Sequence, residues 1–460
     1  MREKKTLFDW IDENRSDFLA VSKAIWENPE LSVQEYFAAG QLTALLEKNG
    51  FSVERGLAGF PTSFIGTYGS GSPVIGFSSE YDALPGLSQR RGSAGHEPLV
   101  PGGPGHGCTH NLIAVGGILA ACALKDWLQA EGLDATVKVF GTPAEELCMG
   151  KPFMARAGCF DGVDVFLDFH PFHRNLGGAC TTNAYFNVKY HFDGVTAHGN
   201  APWHGRSAQD AGVLMGIALE FLREHLPPGT EDMPTTFNYA FPDEGKSFPN
   251  VVPDKHTLWC VGRMANAEMA AEALKRVEDC AKGSAIATGT HVTAEIISAT
   301  HELLPNLKMS EVLDKNLREA GLPQFSAAEE ALAKALQRTL GVPETGYGGE
   351  ILPVGISGQP VTDSSEYSWF APIGFLNIQI APSEAFGWHN WAVTSLGGSS
   401  AGEKVVTVAG KTLAGAAFDL IRAPEILADA QREWKDRLNG RTYKTLLPEG
   451  LEPDLGINKA

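Results

Sequence analysis

The sequence predicts an α/β protein in which a mostly parallel, helix-covered sheet is interrupted by a smaller α+β domain. Short β-type runs alternate with helical patterns in the first 183 residues, which is the order of a parallel sheet with helices on its faces. The segment 184–299 has strands and helices of its own, and helical patterns and a strand then resume. The 460 residues also exceed the roughly 250–300 at which a single hydrophobic core stops growing, which indicates two domains.

The first part of the sheet domain begins with an amphipathic helical pattern from Leu7 to Ile25. Ser32 followed by Glu35 is typical of a capping box, so a second helix is expected to begin there and to end at Gly50. The other elements expected in this part are strands at 74–79, 137–140 and 163–169 and a helix from about residue 112. This rhythm indicates the parallel part of the sheet.

The inserted domain is expected to contain strands at 185–192, 257–261 and 292–297 and helices at 207–224 and 268–285. Helical patterns at 309–319 and 327–340, a strand at 375–380 and a helix near 403–422 follow it. The expected boundaries are therefore 1–183 and 300–460 for the two parts of the sheet domain, and 184–299 for the insertion.

The composition excludes several classes of partner. A formal charge of -18 repels phosphate backbones and anionic lipid headgroups, so we expect neither nucleic acid nor a membrane as a partner. The N-terminus has no signal-type apolar block, and the seven cysteines are scattered and odd in number. These features favour a reducing, cytoplasmic location over a disulfide-stabilised secreted protein.

Polar side chains follow the predicted strands at the points where these strands end. In an open parallel sheet, ligands bind beyond the carboxyl ends of the strands, so these positions carry the candidate site. The segments at these positions are Glu80-Tyr81-Asp82, Gly105-His106-Gly107-Cys108-Thr109-His110, Glu145-Glu146, His170 and Gly387-Trp388-His389, and they supply the Cys, His and Glu side chains that zinc and manganese bind. Each alone has an ordinary explanation, such as a solvated glutamate, a structural histidine or a small buried cysteine. Their convergence on one sheet edge favours a metal site.

The chain resembles the M20 metallopeptidase family, in the amidohydrolase branch that contains aminobenzoyl-glutamate hydrolase. The resemblance spans nearly the whole chain. Its motifs include Glu80-Tyr81-Asp82-Ala83-Leu84-Pro85, His106-Gly107-Cys108-Thr109-His110-Asn111, Glu145-Glu146, His170-Pro171, Ala197-His198, Gly205-Arg206-Ser207-Ala208-Gln209-Asp210, Asn250-Val251-Val252-Pro253, Thr362-Asp363 and Ser368-Trp369.

The resemblance implies a role for each candidate residue. Two divalent metal ions, either zinc or manganese, would be held by Cys108, His110, Glu146, His170 and His389. Glu145 would be the general base, and Asp82 would orient a ligand histidine. The inserted domain would be a ferredoxin-like lid through which two copies dimerise, so that His198 would reach the partner's site. Asn250 and Arg263 would contact a small-molecule amide substrate.

The sequence departs from the usual family pattern around the candidate ligands. Thr109 replaces a glycine between two of them, Leu147 and Cys148 follow the glutamate pair, and Trp388 and Trp391 flank His389. These changes predict a tighter and more aromatic pocket.

Several functional alternatives stay open at this stage. The favoured substrate is an N-acyl or N-aroyl amino acid, whose carboxylate would bind Arg263. Removal of an amine from an aromatic ring, or cleavage of a dipeptide, would use the same metals. A non-catalytic metal-binding or partner-binding descendant is disfavoured because Glu145 is retained beside the ligands. Arg263 could also form a structural ion pair within the lid.

Overall fold

The computed structural model describes residues 3–231, 233–242 and 248–458. The strands are β1 (Ser52–Arg55), β2 (Phe64–Gly69), β3 (Val74–Glu80), β4 (Thr136–Thr142), β5 (Val165–Phe172), β6 (Leu176–Thr181), β7 (Ala184–Asp193), β8 (Thr236–Ala240), β9 (Lys255–Met264), β10 (His291–Thr300), β11 (Ile356–Gly358) and β12 (Ile373–Gln379). The helices are α1 (Lys5–Glu27), α2 (Tyr36–Lys48), α3 (His110–Glu131), α4 (Gly150–Arg156), α5 (Ala208–Arg223), α6 (Ala267–Thr288), α7 (Leu307–Ala320), α8 (Ala327–Leu340), α9 (Trp391–Gly397), α10 (Ser400–Arg422) and α11 (Pro424–Leu438).

The larger sheet has eight strands in the order β1-β2-β4-β3-β5-β12-β6-β11. Its central strands β4, β3, β5 and β12 are parallel. Strands β1 and β2 pair antiparallel on one side, and on the other side β6 pairs antiparallel with β12 and parallel with the edge strand β11. The predicted mostly parallel, helix-covered sheet is therefore confirmed. The antiparallel strands β1, β2 and β6 were not predicted.

Helix α3 is the central helix of the core that covers this sheet, and it packs between α1 and α10. By length and composition α3 could cross a membrane, but 89% of its most apolar 18-residue segment is buried inside the protein. Its all-round apolar surface is thus explained by burial against the sheet and two neighbouring helices.

The smaller sheet has the order β10-β7-β9-β8, and every pair in it is antiparallel. In chain order its elements run β7-α5-β8-β9-α6-β10, which is ferredoxin-like connectivity. The predicted α+β insertion is confirmed as a fold, and β8 is an additional edge strand. We propose 184–299 as the bounds of this domain.

The predicted capping box was wrong. Helix α2 begins at Tyr36, and the Ser32 hydroxyl donates to Oδ2 of Asp82 over 2.7 Å instead of capping the helix. The Glu35 carboxylate is fully buried and accepts hydrogen bonds from the backbone N–H groups of Val33 and Ala144, at 2.7 and 2.9 Å. The two polar side chains are thus used to connect distant segments, which a local pattern cannot predict.

The chain beyond α11 connects the two domains. Arg441 contacts Glu302 at 2.8 Å, just after the lid returns to the sheet domain, and Leu447 is buried in the lid core. The amide of Asn458 donates to the carbonyl of Ser32 over 3.1 Å. The segment after α11 therefore contacts the loop whose Ser32 side chain donates to Asp82.

Candidate active site

The candidate ligands lie where the parallel strands reach one edge of the larger sheet. Asp82 follows β3, Glu145 and Glu146 form a short turn after β4, and His110 is the first residue of α3. Strand β5 is longer than predicted and includes His170, because its pairing with β12 continues as far as Phe172. The sequence-based expectation that these side chains meet is consistent with this geometry.

Ligand-type atoms from these segments form two groups. The first contains Cys108, His110 and His170, and the second contains Cys108, Glu146 and His389; within each group the atoms lie within 4.8 Å of one another. Sγ of Cys108 is 3.4 Å from Nε2 of His170, and Nε2 of His389 is 3.4 Å from the Glu146 carboxylate. Cys108 is common to both groups, so the two candidate sites adjoin.

The site contains buried polar atoms that lack a protein partner. Within the described chain, Nε2 of His110 and Oε1 of Glu146 have no hydrogen-bond partner, although both are buried. These atoms are 3.8 Å apart, which is too long for a hydrogen bond. Leaving such groups unsatisfied is costly, and a cation bound by both would satisfy them. The donor set therefore fits a metal ion.

Asp82 fixes the orientation of the His110 ring. Its Oδ1 lies 2.9 Å from Nδ1 of His110, while its Oδ2 accepts from Ser32 and from the backbone N–H of Glu146. A histidine held through one ring nitrogen presents the other in a fixed direction. Asp82 thus connects the histidine and glutamate ligand segments, which agrees with its expected orienting role.

The backbone around the ligands is strained. Four non-glycine residues there have positive φ angles: Thr109 (62°), Ala144 (57°), Cys148 (50°) and His389 (55°). Only three other non-glycine residues in the described chain do so. Such conformations are uncommon for side chains with a Cβ and concentrate at functional sites. The Thr109 hydroxyl donates to the carbonyl of the adjacent Cys108 over 2.6 Å.

Burial shifts the pKa of several candidate residues. It lowers the pKa of His170 to about 4, and partial burial together with the nearby His110 lowers the pKa of the half-exposed His389 to about 4, so both rings are neutral at pH 7, as ligand histidines must be. Burial raises the pKa of the Cys108 thiol to about 12, so a thiolate there requires a nearby cation. Burial, together with the neighbouring Glu80, raises the pKa of Glu145 to about 7. A carboxyl group with this pKa can both accept and release a proton near neutral pH.

A buried ion-pair network beside the site was not predicted from the sequence. Lys151 is 0% exposed, donates to Glu80 over 2.6 Å and also contacts Asp363. Glu80 groups with His110 and Glu145 as a third set of ligand-type atoms. Glu80 and Asp363 stand in motifs that carry the resemblance, but nothing local marks Lys151, because lysine is rarely buried.

Carboxyl groups greatly outnumber permanent cations in this region. Lys151 is the one lysine or arginine that is buried within the described ranges. The buried carboxyl groups in the same part of the molecule are those of Glu35, Glu80, Asp82, Glu145, Glu146, Asp168 and Asp363. Since isolated buried carboxylates are unfavourable, these groups must either take up protons or bind cations, and burial does raise the pKa of Glu35 and Asp168. The excess of carboxyl groups over permanent cations therefore suits bound metal ions.

A cavity of about 340 Å³ opens onto the ligands. Phe172 and Trp388 line it near the metal ligands, and Tyr185 and Arg263 line it from the lid. The Arg263 guanidinium lies 5.6 Å from the Tyr185 ring centre and donates to Asn238 over 3.3 Å. Arg263 forms no ion pair with any residue that the structure describes. The structural ion pair that the sequence left open for Arg263 is therefore absent from the described part of the chain.

His198 and Asn250 lie elsewhere in the lid. Both are exposed, and neither is among the described residues that line the cavity of their own chain. His198 accepts from the backbone N–H of Asn200 and pairs with Val251 in an isolated bridge. Their roles in substrate or oxyanion binding stay predictions.

The protein is a metal-dependent hydrolase that acts on carbon–nitrogen bonds. This class is defined by the larger sheet with its inserted ferredoxin-like domain and by the Cys/His/Glu set at the sheet edge. The chain belongs to peptidase family M20/M25/M40, whose model matches residues 76–340.

Two relatives in sequence support this membership, and one solved structure shares the fold. The chain is 31% identical to one of the subunits of p-aminobenzoyl-glutamate hydrolase from Escherichia coli, over 97% of each chain. It is 29% identical to the Xaa-Arg dipeptidase of Mus musculus, over 95% of this chain and 93% of that one. Its fold matches a dinuclear metal-binding M20 peptidase of Bacillus subtilis with a TM-score of 0.52 and 17% identity, covering 88% of this chain and 98% of that chain.

Proposed function

We propose that this protein is a two-metal amidohydrolase that cleaves the amide bond of an N-acyl or N-aroyl amino acid. The observation that carries the proposal is the pair of adjoining ligand groups that share Cys108, with Glu145 next to them. Oε2 of Glu145 is 3.6 Å from Nε2 of His110, and Glu145 belongs to the set with Glu80 and His110 but to neither group that contains Cys108. We assign the metal ions to the two groups that share Cys108, which leaves the Glu145 carboxylate free for proton transfer.

The proposed metal ligands are Cys108, His110, Glu146, His170 and His389. Bound divalent ions would supply positive charge that acidifies a water molecule and polarises an amide carbonyl. Zinc is favoured by the thiolate of Cys108, while the imidazole and carboxylate ligands also accept manganese. The B. subtilis structure described as dinuclear is consistent with two ions.

Glu145 would perform both proton transfers of the reaction. It takes a proton from the attacking water, whose oxygen bonds to the carbonyl carbon. When the carbon–nitrogen bond breaks, Glu145 returns the proton to the departing amine. The carboxylic acid product thereby gains the hydroxyl group of the water, and the amine product gains its other hydrogen. The pKa of about 7 suits a group that must act as base and then as acid.

The substrate would lie between the aromatic wall and the lid arginine. Phe172 and Trp388 offer ring faces to an acyl or aroyl group, while Arg263 offers a guanidinium to the carboxylate of the amino acid. The name of the E. coli relative supports an aminobenzoyl-glutamate-like compound. A dipeptide is the second candidate, because the mouse relative is a dipeptidase and a dipeptide also has a terminal carboxylate.

A homodimer through the lid would complete the site with His198 of the other chain. Helix α5 exposes Val213, Leu214, Ile217 and Phe221, an apolar surface suited to burial against a second copy. His198 is also exposed rather than directed into its own cavity. As a hydrogen-bond donor from the partner chain, His198 would stabilise the negative oxygen of the transition state.

We also propose a cytoplasmic location, consistent with seven free cysteines.

Metal content and substrate preference test the proposal together. The metal-free protein should regain activity with zinc or manganese, and elemental analysis should find two ions per chain. Activity should be screened on a matched set: aminobenzoyl-glutamate, the corresponding amide without a carboxylate, a dipeptide and a ring amine. Fewer than one ion per chain in an active preparation would contradict the two-metal site. Preference for the ring amine would contradict the amide substrate.

Mixed dimers test the role of His198. His198→Ala and Glu145→Gln homodimers should both be nearly inactive, but subunit exchange should create one site that combines an intact Glu145 with the other chain's His198. Verified exchange without recovered activity would mean that His198 does not act across the dimer.

A further inference from the structure

The indole of Trp388 contacts two of the proposed metal ligands. Its Nε1–H donates a hydrogen bond to Sγ of Cys108 over 3.1 Å. Its ring centre lies 5.8 Å from that of His170 and 5.4 Å from that of Phe172. The indole nitrogen is a donor only, so it cannot itself bind a metal ion. Any effect of this nitrogen on the metal site must pass through the sulfur.

The turn that carries Trp388 is fixed on both sides. Gly387 and His389 have φ angles of 75° and 55°, and the Asn390 side chain caps α9 and donates to the Phe386 carbonyl over 3.0 Å. The residues flanking Trp388 thus have little conformational freedom. The indole is thereby presented to Cys108 in one orientation, as a positioning group requires.

We propose that Trp388 is a positioning residue whose N–H directs and stabilises the Cys108 thiolate as a metal ligand. This inference rests on the proposed two-metal function. A free cysteine thiol is mostly neutral near pH 7, whereas a metal-bound sulfur carries negative charge. A hydrogen bond to a charged acceptor is about twice as strong as one to a neutral acceptor. The indole therefore favours the metal-bound state over the metal-free state.

Removal of the N–H distinguishes this role from simple packing. Trp388→Phe keeps an aromatic ring but has no donor, and replacement of Trp388 by benzothienylalanine keeps the bicyclic shape with sulfur in place of N–H. Trp391→Phe is the matched control, because Trp391 stacks on His96 at 5.3 Å and is not a cavity-lining residue. Thermal unfolding of each metal-free variant checks the fold.

The readout is cobalt and zinc binding rather than turnover. Cobalt bound by a thiolate gives a charge-transfer absorption band in the near ultraviolet. Loss of the N–H raises the energy of the sulfur electrons, so both Trp388 variants should shift this band to lower energy. They should also weaken zinc binding about 10- to 100-fold, the usual effect of removing a partner of a ligand. The Trp391→Phe protein should match the parent in both measurements.

Two results would overturn the proposal, and they are distinguishable. If the parent shows the cobalt band but benzothienylalanine at position 388 leaves band energy and zinc affinity unchanged, the N–H has no role, while Cys108 stays a ligand. If the parent shows no such band and Cys108→Ser binds cobalt equally well, Cys108 is not a ligand. The proposed metal site then fails together with the inference.

Discussion

The Glu145→Gln variant separates proton transfer from metal binding. Glutamine keeps the size of glutamate but cannot accept a proton at neutral pH. Within the described chain, the Glu145 side chain forms no hydrogen bond, and it is not one of the proposed ligands, so the substitution should leave the fold and the metal content unchanged. General acid–base catalysis contributes roughly 10²–10⁴-fold, so kcat should fall by about this factor.

The same substitution should stabilise the metal-free protein at high pH. Burial raises the pKa of Glu145 from its ordinary value of 4.5 to about 7, so the folded state holds a proton that the unfolded state releases. Stability is therefore lost as pH rises from 4.5 to 7, and the full cost persists above 7. This difference in pKa corresponds to at most about 3 kcal/mol. Glu145→Gln should thus be more stable than the parent at pH 8 and similar to it at pH 4.

Three measurements test this reasoning: steady-state kinetics of the metal-loaded protein, elemental analysis, and denaturant unfolding of the metal-free protein at both pH values. Glu384→Gln is the control, because Glu384 is exposed and is not a cavity-lining residue. Activity of Glu145→Gln within a few-fold of the parent would remove Glu145 from proton transfer. A large loss of bound metal would instead identify it as a ligand.

Two further predictions concern the cations near the site. Arg263→Ala should lose roughly 10- to 100-fold in kcat/KM on an aroyl-amino acid, because a charge-assisted hydrogen bond is worth ~1.5–3 kcal/mol. It should lose little on the matching amide without a carboxylate. Equal losses on both substrates would indicate a structural role for Arg263. Lys151→Met should lower the free energy of unfolding by about 3–5 kcal/mol, because it leaves Glu80 and Asp363 buried without their cation. Lys404→Met, which breaks a more exposed pair, should cost at most about 1 kcal/mol.

The sequence predicted the parts of this fold and site that depend on simple geometry. Parallel strands place their carboxyl ends at one edge, so Asp82, Glu146 and His170 could be expected to meet from the strand pattern alone. Glu35 could not be interpreted in this way. Its spacing from Ser32 matches a helix cap, but tertiary contacts bring its carboxylate to the backbone of Ala144. A local pattern gives no information about a partner 109 residues away.

The strained backbone at the ligands is the feature that sequence reasoning could least anticipate. A glycine would mark a left-handed position, but Thr109, Ala144, Cys148 and His389 carry side chains that disfavour it. Each such conformation costs about 1–3 kcal/mol and persists only where the surrounding structure holds it. The contacts made by buried neighbours, such as that of Glu35 with Ala144, supply this restraint. The geometry of the proposed ligands is therefore a property of the folded core as a whole, which explains why the candidate residues could be chosen from sequence motifs while the residues that support them could not.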